Sequence, residues 1–162
     1  MDPGFTEYSD HPGVWFYWNT VPGAVVTGVA GYDLNNWGSK ATIYYGNATE
    51  FYNDSRAVGS KVYGNEQANF IDSDADNVYI DAGAGNDVLS GCGFNVTMIA
   101  GDGDDLIRAN AGSNVTIFGG TGNDTIVNWW SGDKVKINAG ADNDSIVNEG
   151  SNVSINAGSD ND

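Results

Sequence analysis

Sulfur, imidazole and positive charge are all scarce in this chain. A single cysteine, Cys92, rules out a disulfide framework. A single histidine, His11, leaves no partner for an imidazole metal site or a Cys–His pair, and it reads as a turn residue. Lysine and arginine number 6 against 22 aspartates and glutamates, a formal net charge of −16. That field argues against nucleic acid and anionic membrane surfaces as partners. No apolar run approaches the ~20 residues of a membrane helix, so no membrane insertion is expected. Met1-Asp2-Pro3-Gly4 does not open like a signal peptide. His-Glu-x-x-His, Gly-x-Ser-x-Gly and the phosphate loop followed by Lys-Ser/Thr are all missing. Carboxylates are plentiful, but their even repetition marks a ladder and not a matched acid–base pair. The chain therefore does not read as an enzyme, and no catalytic residue is assigned.

What the chain has is glycine, 23 residues of it, and a repeat. Asn77-Val78-Tyr79-Ile80 leads to Ala82-Gly83-Ala84-Gly85-Asn86-Asp87-Val88-Leu89. The same pattern returns from Asn95 to Ile107, from Asn114 to Ile126 and from Lys134 to Ile146. A last copy begins at Asn152 and stops at Asp162. The final Asp of each unit falls at 87, 105, 124, 144 and 162, in steps of 18, 19, 20 and 18. A period near 19 with a fixed internal offset is the mark of a stacked-coil architecture.

Each unit alternates. Val78/Ile80, Val96/Met98, Val115/Ile117, Val135/Ile137 and Val153/Ile155 face one way, and Tyr79, Thr97, Thr116, Lys136 and Ser154 face solvent. A Gly-rich turn follows, then a second short strand whose inward residue is Leu89, Ile107, Ile126 or Ile146. A second turn closes the coil. The fold class expected is all-β: a parallel β-roll, or β-solenoid, of two-strand coils of about 18–20 residues, its strands ~4.8 Å apart.

Stacking such coils lines up the repeated Asp side chains. Two carboxylates ~4.8 Å apart repel by roughly 3.5 kcal/mol at an effective dielectric of about 20. A divalent cation between successive turns relieves this. The available donors are carboxylates and glycine-turn carbonyls, all oxygen. That chemistry selects a hard cation, and flexible many-oxygen geometry favours Ca²⁺ over Mg²⁺.

Gly119-Gly120-Thr121-Gly122-Asn123-Asp124-Thr125-Ile126-Val127 fits the nonapeptide G-G-x-G-x-D-x-(large aliphatic)-x without exception. Residues 82–90 and 100–108 fit with Ala first, and 139–147 has Ala first and Asp142 at the third Gly position. In these residues the chain resembles the repeats-in-toxin (RTX, haemolysin-type calcium-binding) family. The resemblance implies a β-roll with Ca²⁺ between neighbouring turns, held by the motif Asp and by turn carbonyls. Carried over, it names Asp87, Asp105, Asp124, Asp144 and Asp162, with Gly83, Gly85, Gly101, Gly103, Gly120, Gly122 and Gly140. Five Asp-bearing turns leave gaps for up to four ions in one row. One departure stands out. In the familiar RTX roll both turns of a coil carry the motif, whereas here the opposite turns, such as Asn110–Asn114 and Asn148–Asn152, do not. That edge is expected to rest on Asn and Gly turns with stacked Asn hydrogen bonds. Asp142 and Asp160, standing at Gly positions, require left-handed backbone.

The chain divides into three stretches. Residues 1–23, with the aromatic run Val14–Trp18, are expected to form an N-terminal cap. Residues 24–76 read as degenerate, metal-free coils. Residues 77–162 form the calcium-binding roll, expected to continue beyond Asp162. Within 24–76, Asp33 lies three periods before Asp87, Ile43 and Val62 are 19 apart, and so are Phe51 and Phe70. Asn69 replaces the motif Asp, and its own predecessor is read as Glu50 or Asn53. Tyr44, Tyr45, Phe51, Tyr52, Tyr63 and Phe70 suggest a larger apolar core there. The acidic turn Asp72–Asp76 could hold an extra cation but reads more readily as solvated.

Two functions follow. One is a secreted or cell-surface module that couples folding to extracellular calcium, with type I secretion implied by the resemblance. The other is a structural or adhesive protein, or filament protomer, whose rigid solenoid contacts itself or a cell-surface partner. An ice-binding face is spoiled by Tyr79 and Lys136 in the outward Thr rank.

Overall fold

Alternating Val-x-Ile segments separated by glycine turns favour short strands, and the backbone consists of these. The computed structural model describes residues 5–7, 15–28, 32–44, 50–110, 112–129 and 134–162, with side chains described in these ranges from Asn19 onward except at 32 and 33. The strands are β1 (Phe5–Glu7), β2 (Trp15–Asn19), β3 (Val25–Thr27), β4 (Tyr32–Asn36), β5 (Thr42–Tyr44), β6 (Phe51–Asn53), β7 (Lys61–Asn65), β8 (Phe70–Ser73) and β9 (Tyr79–Ala84). They continue with β10 (Val88–Gly91), β11 (Thr97–Asp102), β12 (Leu106–Asn110), β13 (Thr116–Thr121), β14 (Thr125–Trp129), β15 (Lys136–Ala141), β16 (Ser145–Asn148) and β17 (Ser154–Gly158). Even-numbered strands, with β1 at the edge, form one sheet; odd-numbered strands from β3 to β17 form the other. Every neighbouring pair is parallel except β1 with β2. From β2 onward consecutive strands alternate between sheets, so each even–odd pair is one coil of a parallel β-solenoid. No helix occurs among the described residues.

The core lies between the sheets. Ile80, Met98, Ile117 and Ile137 pair in register along one wall, and Ile71, Leu89, Ile107 and Ile126 along the other. All eight are essentially buried. Val78, Val96, Val115 and Val135 fill the corner. Ile146 and Val153 are partly buried, and Ile155 is exposed on β17, which pairs with β15 alone.

The edge opposite the glycine turns carries the expected Asn device. Asn77, Asn95, Asn114, Lys134 and Asn152 all have positive φ, between 55° and 70°. Asparagine tolerates this left-handed backbone better than most residues. Its side chains also stack: Asn95 Nδ2 donates to Asn77 Oδ1 at 2.9 Å, and Asn114 donates likewise to Asn95. Asp142 and Asp160 are left-handed too, with φ of 78° and 86°.

The early coils depart from the sequence reading. Ile43 does pair with Val62. Phe51 pairs with Ile71, however, and Phe70 stands outward. Phe51 alone of the six aromatics is shown in the core; Tyr44, Tyr52, Tyr63 and Phe70 lie on outer faces, and Tyr45 is outside the described residues. A larger apolar core is thus not what distinguishes these coils. Their corner is filled by a buried amide ladder. Asn19 Nδ2 donates to Asn36 Oδ1 and Asn36 Nδ2 to Asn53 Oδ1, each at 2.7 Å, and Asn53 Nδ2 donates to Ser73 Oγ at 3.0 Å. The step between coils is 17 residues in this ladder and then 20, which is why a period near 19 misaligned Phe51. Residues 11–14 lie outside the described residues, as do the side chains of 15–18.

Candidate metal centre

Asp87, Asp105, Asp124 and Asp144 each end a glycine turn just before an even-numbered strand, and stacking brings them and Asp162 into one column. Each Asp uses one carboxylate oxygen in the same way. Its Oδ1 accepts the backbone N–H of the equivalent residue one coil earlier: Asn69 to Asp87 at 2.7 Å, Asp87 to Asp105 at 2.7 Å, Asp105 to Asp124 at 3.0 Å, Asp124 to Asp144 at 2.9 Å and Asp144 to Asp162 at 3.1 Å. Asp87, Asp105, Asp124 and Asp144 are buried, and their Oδ2 atoms have no hydrogen-bond partner. A buried carboxylate oxygen without a partner is costly.

The charge state reflects this. Burial pushes the Asp87 carboxyl up to about 7, opposed by the Asn69 N–H and assisted by the charge of Asp105. Burial raises Asp105 to about 6, with Asp104 and Asp102 adding repulsion. Asp124 is raised to about 7, again chiefly by burial, then by Asp105, Asp144 and Asp104. Asp144 is raised by burial, with further repulsion from Asp162 and Asp142. A row of desolvated carboxylates with no ion pair among the described residues asks for a cation.

Backbone oxygen reaches the same place. A Cβ built on Gly119 would run into both Asp124 Oδ2 and the carbonyl oxygen of Ala139 on the next coil. The two oxygens therefore border one small space. The equivalent point at Gly64 lies against Asn69 Oδ1 and the Ala82 carbonyl. The arrangement is a carboxylate of one turn and the first-position carbonyl of the next. By register it recurs for Asp87 with Ala100, Asp105 with Gly119 and Asp144 with Ala157. These first-position carbonyls were not among the residues read from the sequence, because a carbonyl's direction has no side-chain signature.

The predicted second- and fourth-position glycines form columns of their own. Gly83, Gly101, Gly120 and Gly140 have φ between 105° and 136°. A Cβ on Gly120 would run into the Gly101 carbonyl, so only glycine lets these coils approach. Gly85, Gly103 and Gly122 stack likewise, each against the preceding glycine or its counterpart. Gly140 already gives its carbonyl to the Ser159 N–H at 3.1 Å. Where Asp142 replaces the fourth-position glycine, its carboxylate accepts the Gly122 N–H at 3.0 Å.

A second ladder in the same turns had a sequence signal that went unused. The fifth motif position is Asn86, Asp104, Asn123, Asn143 and Asn161. The side-chain oxygens of the first four accept the N–H of the next coil: Asp104 to Asn86 at 3.2 Å, Asn123 to Asp104 at 2.8 Å, Asn143 to Asn123 at 3.2 Å and Asn161 to Asn143 at 3.3 Å. This ladder points forward along the stack, whereas the motif Asp ladder points back.

Other proposed equivalents fall elsewhere. Asn69 does occupy the column, since Phe70 pairs with Val88. Glu50 aligns with Phe70 and Asn53 with Ser73, so neither is a predecessor of Asn69; that position is residue 49, outside the described residues. Asp33 precedes Leu34, which pairs with Phe51, and so aligns with Glu50 and not with the Asp column. In the acidic turn, Asp74 accepts from Tyr52 Oη at 2.7 Å and from Cys92 Sγ at 2.6 Å, and Asp76 accepts the Phe94 N–H at 2.8 Å.

The donors fit a hard cation. Among the described residues no three His, Cys, Asp or Glu side chains converge, so any ion here takes most of its ligands from backbone oxygen. That suits calcium, which accepts six to eight oxygens, and not zinc.

The family model of the RTX calcium-binding nonapeptide repeat, in four copies, matches residues 63–95, 93–115 and 116–127. No curated protein matches the chain, and no solved structure does.

Proposed function

Residues 63–127 of this chain are RTX calcium-binding nonapeptide repeats, and from that premise we propose that the chain is a calcium-dependent β-roll module whose folding is coupled to extracellular calcium. One observation carries the proposal: four stacked, buried Asp Oδ2 atoms lack any partner in the folded chain. Asp87, Asp105, Asp124 and Asp144, with the carbonyls of the following turn, would hold up to four ions in one row, and Asp162 closes the column. Calcium supplies the positive charge that lets adjacent carboxylates stay ionised and stacked. Binding free energy then becomes folding free energy. At cytoplasmic calcium the repeats stay loose; at the ~10⁻⁴–10⁻³ M at which extracellular modules bind, they close. Secretion to the medium or cell surface follows from that logic. No catalytic role is assigned. The division into a cap at 1–23, metal-free coils at 24–76 and a calcium roll at 77–162 belongs to the same proposal.

Far-UV circular dichroism with CaCl₂ and with MgCl₂ tests it. A calcium-specific gain of β signal near millimolar, lost in an Asp105→Ala/Asp124→Ala double variant, is expected. A fully formed roll in chelator, indifferent to calcium, would overturn it.

The Asn19–Asn36–Asn53 ladder supports a second reading, because it closes the early coils without metal. In it the solenoid is a rigid stalk or filament protomer that contacts itself or a cell-surface partner. Concentration-dependent filaments on adding calcium, seen by light scattering, would favour it over a module that stays monomeric.

A further inference from the structure

The outer face of β4, β6 and β8 holds a half-open cavity of about 160 Å³, well away from the glycine turns. Asn35, Glu50, Tyr52, Phe70 and Asp72 line it, together with Leu34 and Phe51, whose side chains belong to the core. Strand pairing explains the cluster. Asn35, Tyr52 and Asp72 occupy one outward column, and Glu50 and Phe70 the next. Asn35 is only 8% exposed and lines the cavity. A nearly buried carboxamide at a cavity wall can give or take a hydrogen bond with a ligand. Tyr52 is held by its hydroxyl on Asp74, and Phe70 is 40% exposed.

The charges select the ligand. Two carboxylates border the cavity, and no basic side chain lines it. Arg56 is engaged by Asp54, at 2.6 Å, and lies over the Trp37 ring at 3.9 Å. Arg108 stands two strands beyond Asp72 in the same column. Burial raises the Asp72 carboxyl, with the charge of Asp74 adding to it, so a positive ligand would offset a real desolvation cost. A metal ion is disfavoured, because two side walls are aromatic and only two acids are present. An anion meets only repulsion. A neutral sugar gains nothing from the carboxylate charges. An organic cation uses every wall: carboxylates for its charge, aromatic rings for its face, and the Asn35 oxygen for an N–H.

We propose that this cavity binds the ammonium or guanidinium head of an organic cation, presented by a small amine or by a Lys or Arg side chain of a partner. The inference does not rest on the calcium reading. Trp18 of β2 takes the register position beside Asn35 on the neighbouring strand.

The test is a ¹H–¹⁵N NMR titration of the full chain with n-butylammonium chloride, run both in saturating CaCl₂ and in chelator. Acetyl-lysine-amide, tetramethylammonium and methyl glucoside are titrated in parallel. Saturable shifts of the Asn35 side-chain amide and the Phe70 backbone are expected with n-butylammonium and acetyl-lysine-amide. A Glu50→Gln/Asp72→Asn variant should bind roughly tenfold more weakly. Glu149→Gln, remote from the cavity, should bind as wild type. A further gain for a Lys-bearing peptide over acetyl-lysine-amide would identify a protein partner as the source. If the double variant fails to fold by circular dichroism, Glu50→Gln alone decides, with a weakening of about threefold expected. Absence of a saturable shift at Asn35, a response to the glucoside instead, or undiminished binding in the folded carboxamide variant would overturn the proposal.

Discussion

Asp124 shows how much one side chain is asked to do. Its Oδ1 ties its coil to Asp105, and its Oδ2 is buried with no partner. The folded-state pKa values of Asp87, Asp105 and Asp124 lie above the ordinary carboxylate value, at about 7, 6 and 7. Groups raised on folding contribute stability that is fully present below the unfolded value and is lost as pH rises through the folded one. In chelator the roll should therefore be more stable near about pH 4 than near about pH 8, declining from about pH 4 upward and levelling off above about pH 7. Thermal melts across pH with EGTA measure this, and calcium should reverse the trend at neutral pH. Asp124→Asn separates charge from shape. It keeps the acceptor for Asp105 but removes the buried charge. Calcium-free stability at neutral pH should rise, while the calcium midpoint should shift at least about tenfold higher. Moves in the same direction for both would contradict the metal reading.

At the scale of the strand and turn, close approach and hydrogen-bond continuity decide. Gly120 has φ 136° and its α-carbon faces the Gly101 carbonyl. Gly120→Ala should cost about 1–3 kcal/mol through backbone strain, plus whatever separation the coils must accept. Urea melts in saturating calcium would show it. In the early coils the corresponding weak point is Asn53, which accepts from Asn36 and donates to Ser73. Asn53→Ala would leave the buried Asn36 amide with only its longer bond to Ser60 Oγ, at 3.2 Å, and should cost about 1–3 kcal/mol in chelator as well as in calcium. Insensitivity of that cost to calcium is the point of the measurement, because this ladder lies outside the carboxylate column.

Across the whole solenoid, each coil touches only its neighbours, so stability is a sum of local terms and coupling between adjacent coils. The coils with Asn19, Asn36 and Asn53 close by amide ladders. Those with Asp87 to Asp144 leave carboxylate oxygens unsatisfied. Hydrogen exchange read by mass spectrometry should therefore show protection over 50–76 that persists in chelator. Protection over 77–148 should appear on adding calcium. Uniform protection in both conditions would mean that backbone ladders suffice throughout.

The architecture was legible in the sequence because its cause is local and repeated. Val-x-Ile alternation places Ile80, Met98, Ile117 and Ile137 on one wall, and a glycine turn every 18 to 20 residues brings the chain round. The Asp column follows from the same period. Where the step changes to 17 and then 20 residues, repetition no longer identifies partners, and Glu50, Asn53 and Asp33 do not fall in the column. Asn19, Asn36 and Asn53 do recur at that step, but a lone Asn at a strand end looks like a turn residue until its amide is seen to be buried. Tertiary structure alone decided which carboxylate oxygen is used and which is orphaned. It also decided that the Ala139 carbonyl shares a space with Asp124, and that Asn35 lines a cavity. Period and polarity are properties of the chain's order. The direction of a carbonyl or a carboxylate is a property of the neighbouring coil, and it exists only once the coils have stacked.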